Sequence, residues 1–302
     1  MKLPSQTQDL FRRLRARVAG EDLDAGATEA REAPRDPVVR RMNFPFDAEV
    51  PRYWVDGSVI GTAIGNALNL LFPDGERFFV RSVHYYLDEI EDPQLRERVR
   101  RFFGQEGQHA REHERYYEVM RAHGIDIDAF LEPYRRVAYR MIEPAASPKL
   151  RLAVTAALEH YTASFAEWGM RDGYIERVAA PVMADLLMWH AAEEIEHKDV
   201  AYDVLLDIDD RYIVRAVGMV VATAILAGFW LQAVVTLLAQ EPRLTTRSAR
   251  RELGTMGVAG IGPVTQMPRA FLTYLVPGFH PAKVANDHLA QAYLERIGRA
   301  TG

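Results

Sequence analysis

The chain has 302 residues, 26% of them charged, and a formal net charge of −5. This length can bury a sizeable core in one or two domains, and the lack of a basic excess argues against a nucleic-acid partner. Because the chain has no cysteine, disulfides, thiolate zinc sites and cysteine-ligated iron–sulfur clusters are excluded, and any metal must have nitrogen and oxygen ligands.

Residues 1–40 are rich in Arg, Asp, Glu, Ala and Pro, which predicts a flexible, partly basic segment. A short basic helix is expected around Leu10–Val18, and a solvated tail is favoured over a membrane-surface or partner contact. The N-terminus lacks the apolar stretch of a secretory signal, so we expect the main domain to be cytoplasmic.

Residues 41–212 show the capping residues of four long helices and no alternating strand pattern or Gly-rich phosphate loop. A longer connection, residues 125–146, joins the second helix to the third and contains a helix-like stretch. The predicted helices run from Asp74 to about Glu91, from Asp92-Pro93 to about Gly124, from Ser147-Pro148 to Met170, and from about Ala180 to Leu206. One long crossover among four helices predicts an all-α, ferritin-like four-helix bundle.

Ferritin-like dinuclear sites take one Glu from each of two helices and a Glu-x-x-His pair from each of the other two, because positions i and i+3 share a helix face. All six groups are present in that order, and two such pairs on alternate helices are far more specific than one. The predicted ligands of two metal ions are Glu76, Glu106, His109, Glu159, Glu194 and His197. Carboxylate and imidazole ligands favour iron, or an iron–manganese pair, over zinc.

Several residues near the six predicted ligands could be either metal ligands or supporting residues. Glu193 could compete with Glu194, but only Glu194 has a histidine three residues later. By spacing alone His190 and His113 are equivalent candidates for a seventh ligand, and each could instead support the ligands by hydrogen bonding. Asp199 and Tyr161 are further candidates for supporting residues, as are Asp203 and Tyr202.

The motifs RRMNFPFD, LFPDGERFF, GQEGQH and WHAAEEIEHK resemble those of a family usually described as predicted metal-dependent hydrolases, over about Arg40 to Arg215. The ligand pattern also resembles that of ferritin-like di-iron oxygenases. The run His190, Glu194 and His197 is similar to the arylamine N-oxygenase group, in which the extra histidine ligates iron. This second resemblance implies His190, rather than His113, as the seventh ligand.

Residues 213–302 form an apolar C-terminal extension, in which 216–239 contain no charge. That run could span a bilayer, so a membrane anchor or interfacial hairpin is favoured over a helix buried in a homodimer interface. A weaker apolar stretch, Leu253 to Val276, is interrupted by GIGP and Arg269. His280, in PGFHP, is expected to be a turn residue.

The leading functional hypothesis is a di-iron or iron–manganese oxidase or monooxygenase that uses O2 on a hydrophobic small molecule, with electrons from a donor that the sequence does not identify. The alternative is a hydrolase that uses a metal-bridged water on an ester or amide. A non-enzymatic alternative is metal storage or a membrane scaffold.

Overall fold

The computed structural model describes residues 36–46, 50–242, 244–260 and 262–300, so the predicted Leu10–Val18 helix lies outside the described residues. Within these ranges the regular structure is helical, apart from an isolated antiparallel bridge between Val55 and Ala179, and the all-α class is confirmed. The helices are α1 (Val59–His84), α2 (Pro93–Ala122), α3 (Asp128–Val137), α4 (Pro148–Met170), α5 (Tyr174–Val178), α6 (Pro181–His197), α7 (Val200–Ile208), α8 (Tyr212–Ala239), α9 (Thr246–Gly260), α10 (Gly262–Tyr274) and α11 (Asp287–Ala300).

The first helix differs from its prediction at both ends. It begins at Val59, where the Ser58 side chain accepts a hydrogen bond from the Gly61 backbone N–H, and it ends at His84. Asp74 therefore lies inside the helix and does not cap it. Pro73 also lies inside, although proline removes a backbone donor and usually marks a helix start. The long buried face of α1 offsets that loss, and the sequence signal at Pro73-Asp74 was misleading.

The second and third helices start as predicted. Asp92 accepts from the Gln94 backbone N–H and Ser147 from that of Leu150, each directly before a first-turn proline. The predicted fourth helix is interrupted at Lys198 and Asp199, so that α6 and α7 replace one long helix.

The four long helices α1, α2, α4 and α6 enclose a common interior. α1 packs against α2 and α4, and α6 packs against α4 and α2. This arrangement agrees with the bundle expected from the sequence, while its ferritin-like relationship stays a prediction. The connection between α2 and α4 contains α3, a π-helical turn (Ala138–Ile142) and a short helix (Glu143–Ala145).

The C-terminal part packs against the same bundle. α8 lies along α4 and α1, and a Cβ added at Gly218 would be only 2.6 Å from the Ala153 carbonyl oxygen. α8 is long and apolar enough to cross a membrane, a criterion that core helices of soluble proteins also meet. Large apolar side chains on its outer side are exposed, namely Ile213, Val217, Val220, Leu231 and Val235. The division of the chain at residues 40 and 212 stays a prediction.

Candidate metal centre

The seven residues predicted as metal ligands lie together inside the bundle. We call them the ligand cluster: Glu76 from α1, Glu106 and His109 from α2, Glu159 from α4, and His190, Glu194 and His197 from α6. Each is at most 4% exposed. Their helices place them at this depth because the i, i+3 and i, i+4 spacings keep each set on one inward face.

The cluster contains two groups that could each hold an ion. Glu76, His109 and His190 form the first group, and Glu106, Glu194 and His197 form the second, each with ligand atoms within 4.8 Å of one another.

Glu194 lies between the two groups. Its Oε1 is 2.9 Å from His190 Nε2 and 3.5 Å from His109 Nδ1, whereas its Oε2 is 3.6 Å from His197 Nε2. One oxygen therefore faces each group, which is the orientation needed to bridge two ions. Glu159 joins the second group, because its Oε2 is 3.3 Å from His197 Nε2.

The polar atoms facing the centre lack ordinary hydrogen bonds. Among the described residues, buried atoms without a hydrogen-bond partner include both carboxylate oxygens of Glu76, Glu106 and Glu159, with His109 Nδ1, Glu194 Oε2 and His197 Nε2. A buried unpaired carboxylate costs several kcal/mol in order-of-magnitude terms unless a cation compensates it. The residues present therefore fit a pair of metal ions.

Hydrogen bonds outside the cluster orient two of its histidines. His109 Nε2 is 3.1 Å from Glu193 Oε2, so its Nδ1 faces the centre. His197 Nδ1 is 2.9 Å from Gln105 Oε1, which leaves its Nε2 toward the centre. An imidazole that donates through one nitrogen presents a lone pair on the other, and such partners increase its basicity as a ligand.

A chain of three polar side chains orients His190. Asn69 donates its amide N–H to the Gly65 carbonyl, so its Oδ1 accepts from His113 Nδ1 at 2.7 Å. His113 Nε2 can then accept from His190 Nδ1 at 2.6 Å, which leaves the His190 Nε2 lone pair directed at the cluster. The structure thus places His190 in the cluster and His113 behind it, as the resemblance implied, although the ligand assignments themselves stay predictions.

The other candidate supporting residues lie elsewhere. Asp199 and Asp203 both accept from Arg98 of α2, and Asp203 also contacts His280 Nε2 at 2.8 Å. Tyr161 hydrogen-bonds to Thr223 of α8.

Tyr202 and His280 also have other contacts. Tyr202 donates to the Phe279 carbonyl. His280 caps a short 3-10 turn (Pro281–Lys283), so it is also a turn residue.

Three polar residues that contact cluster histidines or their partners were missed by reasoning from the sequence. The sequence indicated Glu193 only as a rival ligand, yet it also accepts from Trp189 Nε1 and from Arg40. Gln105 and Asn69 had no predicted role. Their positions carried a signal, because Gln105 directly precedes Glu106 and Asn69 lies two helical turns before Glu76.

Burial and mutual repulsion shift the acidities within the cluster. Burial, reinforced by Glu194 and Glu159, raises the pKa of Glu76 well above its usual range, and the pKa of Glu106 rises for the same reasons. Burial also raises the pKa of Glu159 to about 7. Burial opposes ionisation of Glu194 and His197 too, but their mutual attraction prevails, so the pKa of Glu194 falls and that of His197 rises.

Two apolar pockets, each with a volume of about 140 Å³, reach the cluster. Glu76 lines the first pocket, and His190 and Glu194 line the second. A wall shared by both pockets consists of Leu68, Phe72, Thr162 and Phe165. The cluster is therefore approached through apolar surroundings that suit a hydrophobic molecule.

No curated protein and no solved structure matches this chain significantly. A family model does match residues 38–285, which is most of the chain and includes the whole ligand cluster. The chain therefore belongs to the family described as predicted metal-dependent hydrolases.

Proposed function

We propose that this protein is a metal-dependent enzyme with two iron ions, or one iron and one manganese, that uses O2 to oxidise a hydrophobic small molecule. The observation that carries the proposal is the buried cluster of unpaired carboxylate and imidazole atoms, of which three residues line two apolar pockets. Four carboxylates and three imidazoles form a hard-to-borderline donor set, which iron and manganese suit better than softer ions do.

When bound, such an ion pair would supply the electrons that O2 accepts. In a monooxygenation, one oxygen atom enters a C–H bond of the substrate and the other leaves as water. Two electrons and two protons must then come from an external reductant.

The chain's own residues would bind the substrate and exclude water. The first pocket is lined mainly by aliphatic and aromatic side chains, such as Phe78, Leu158 and Phe229, and Glu76 of the cluster is part of its lining. Glu193, Gln105 and His113 hold the three cluster histidines in fixed orientations. Fixed ligand geometry and a water-poor pocket are the protein's general contributions to such chemistry.

Hydrolysis is the second candidate, and the family description favours it. In that reaction the ion pair would lower the pKa of a bound water, which attacks an ester or amide carbonyl. The apolar pocket walls suit a hydrophobic substrate of either reaction, and we favour oxidation because the buried, carboxylate-rich donor set lies inside a helix bundle and suits iron or manganese.

The first experiment measures metal content. We expect close to two iron or manganese ions per chain in protein purified without chelator, and Glu106→Ala and His197→Ala should each lose at least one ion. Glu112→Gln is the matched control, since Glu112 is equally buried on α2 but pairs with Arg115 outside the cluster. One zinc per chain, or full metal content in both cluster variants, would contradict the dinuclear site.

The second experiment separates oxidation from hydrolysis. Iron-loaded protein is reduced without oxygen and mixed rapidly with oxygenated buffer, while ester and amide hydrolysis are assayed in parallel. We expect a transient visible absorption whose lifetime or yield changes in His190→Ala. Protein that is inert to O2 but hydrolytic, with His190→Ala unchanged in both assays, would establish hydrolysis, and metal binding without either reaction would favour storage.

A further inference from the structure

The edge of the first pocket carries an unusual surface. We call residues 136–142 the rim segment; it comprises the end of α3 and the π-helical turn Ala138–Ile142. Ala138, Tyr139 and Ile142 line the first pocket. A π-helical turn is rare and frequently occurs at functional sites.

The outer side of the rim segment exposes large apolar side chains to solvent. Met141 is 61% exposed, Ile142 40% and Val137 38%. Single exposed apolar residues are common, but adjacent ones at the mouth of an apolar pocket indicate a contact surface.

Exposed cations accompany these apolar side chains. Arg136 and Arg140 are exposed and form no ion pair with any described residue. Their neighbours Arg135 and Glu143 are instead paired with Asp74 and Arg81. Apart from Glu132, one turn before Arg136, the charge left on this surface is positive.

We propose that the rim segment docks onto an anionic lipid bilayer, so that an apolar chain can pass from the bilayer into the first pocket. Exposed apolar residues interleaved with arginines have the chemistry of an interfacial segment, whose apolar side chains enter the acyl boundary while the arginines meet anionic headgroups.

The pocket is continuous with this surface. Ile142 is both exposed and pocket-lining, and α8 also lines the pocket through Val221, Ile225 and Phe229. Next to Val221 on α8, Val220 is 55% exposed. A lipid-like substrate would therefore travel along apolar surface from the bilayer to Glu76. This destination rests on the proposed function, whereas the docking does not.

The test is co-sedimentation with two kinds of vesicle, phosphatidylcholine alone and an equimolar mixture of phosphatidylcholine and phosphatidylglycerol. We expect stronger binding to the mixed vesicles. Each arginine near an anionic surface strengthens membrane binding by about fivefold. The double variant Arg136→Gln/Arg140→Gln should therefore weaken binding to the mixed vesicles by roughly 30-fold at most. Met141→Asp/Ile142→Asp should weaken binding to both kinds of vesicle.

Two matched controls accompany these variants. Leu231→Asp changes an equally exposed apolar residue on α8, and Arg100→Gln removes an exposed arginine of α2. Both should bind vesicles like the wild type. Loss of binding in Leu231→Asp but not in Met141→Asp/Ile142→Asp would assign the contact to α8 and overturn the proposal. Circular dichroism establishes that each variant is folded.

Other outcomes are also decisive. Equal binding to both kinds of vesicle, or no binding, would overturn the proposal. Light scattering could also show that the wild type is a dimer that does not bind vesicles and that Met141→Asp/Ile142→Asp is a monomer. That result would make the rim segment a contact between two copies of the chain. Binding is measured with and without metal, so intact docking in a protein that is inert to O2 would overturn only the proposed function.

Discussion

At the scale of single residues, the ligand cluster brings four carboxyl groups together at a depth where ionising all of them is unfavourable. Glu76 and Glu106 have raised pKa values, and both lie beside Glu159 or Glu194 at depths that exclude solvent. Ligand carboxylates must be ionised to bind metal, so loading should release protons and weaken at lower pH. Metal binding and the stability of the fold are therefore linked.

Metal-free protein should show this linkage as a dependence of stability on pH. The pKa of Glu159 is about 7 in the folded protein, against 4.5 ordinarily. As pH rises between these values, the unfolded chain loses a proton that the folded chain keeps, so this group's contribution to stability is lost. The quantity of interest is the free energy of unfolding of Glu159→Gln minus that of the wild type. We expect this difference to increase by up to about 3 kcal/mol between pH 5 and pH 8, in favour of the variant.

Urea denaturation in the presence of a chelator measures this difference. Glu112→Gln controls for the loss of a buried carboxylate outside the cluster, and it should not reproduce the effect. A difference between wild type and Glu159→Gln that stays constant with pH would contradict the raised pKa. Added metal should remove the advantage of the variant, because it binds the ionised carboxylate.

The ligand residues could be predicted because each is a chemically distinctive side chain at a helical spacing. Their supporting residues could not, because a hydrogen bond such as Gln105 to His197 joins α2 to α6 and depends on how those helices meet. The same applies to Arg40, whose contacts with Glu193 and Glu196 bring the segment before α1 onto α6.

At the scale of helices, the close contact between α8 and α4 depends on a glycine. An added Cβ at Gly218 would meet the Ala153 backbone, which cannot move as a flexible side chain can. We expect Gly218→Ala to destabilise the protein by about 1–3 kcal/mol through overpacking. Thermal or urea unfolding of metal-loaded protein measures this cost.

Gly228 on the same helix is the matched control. A Cβ added there would have no neighbouring atom within 4 Å, and α8 is helical at this point, so Gly228→Ala should stabilise by about 0.5–1 kcal/mol. Equal effects of the two substitutions would mean that α8 does not pack on α4 as described.

Helix boundaries were predictable wherever a capping side chain and a first-turn proline coincide, as at Asp92-Pro93 and Ser147-Pro148. The same reasoning failed at Pro73-Asp74, because burial of α1 on both sides of Pro73 outweighs one lost hydrogen bond. The interruption at Lys198 had no local signal. Lys198 donates to Val284 and Asn286, and such contacts across the chain cannot be read from neighbouring residues.

At the scale of the whole molecule, α8 presents one side to the bundle and the other outward. The sequence predicted a membrane anchor or a buried dimer helix, and both need an accessible apolar surface. Removing residues 213–302 would also uncover α4, so a charge on the exposed side is the cleaner test.

The variants Leu231→Arg and Val235→Arg distinguish an anchor through α8 from docking through the rim segment, because the two hypotheses predict different distributions between the membrane and soluble fractions. An anchored protein would move from the membrane fraction to the soluble fraction, because an arginine in the apolar interior of a bilayer costs about 2.5–3.5 kcal/mol on insertion scales. Docking through the rim segment leaves Leu231 and Val235 outside the acyl region, so we expect both variants to fractionate like the wild type.

Fractionation of expressing cells, followed by detection of the protein in each fraction, measures the difference. Release of both variants would restore the anchor and contradict docking through the rim segment. A wild-type protein that is soluble without detergent, and dimeric until Leu231 is changed, would instead assign this side of α8 to a second copy.

The wall shared by the two pockets determines which substitutions could change the size of the substrate that each pocket accepts. Phe72 belongs to both pockets, and its ring lies 4.6 Å from that of His190 and 4.8 Å from that of His113. A smaller residue there would enlarge both spaces at once and loosen the packing around two histidines. Val221 lines only the first pocket and Ile175 only the second. Substitutions at these outer positions can therefore change the capacity of one compartment while the other keeps its shape.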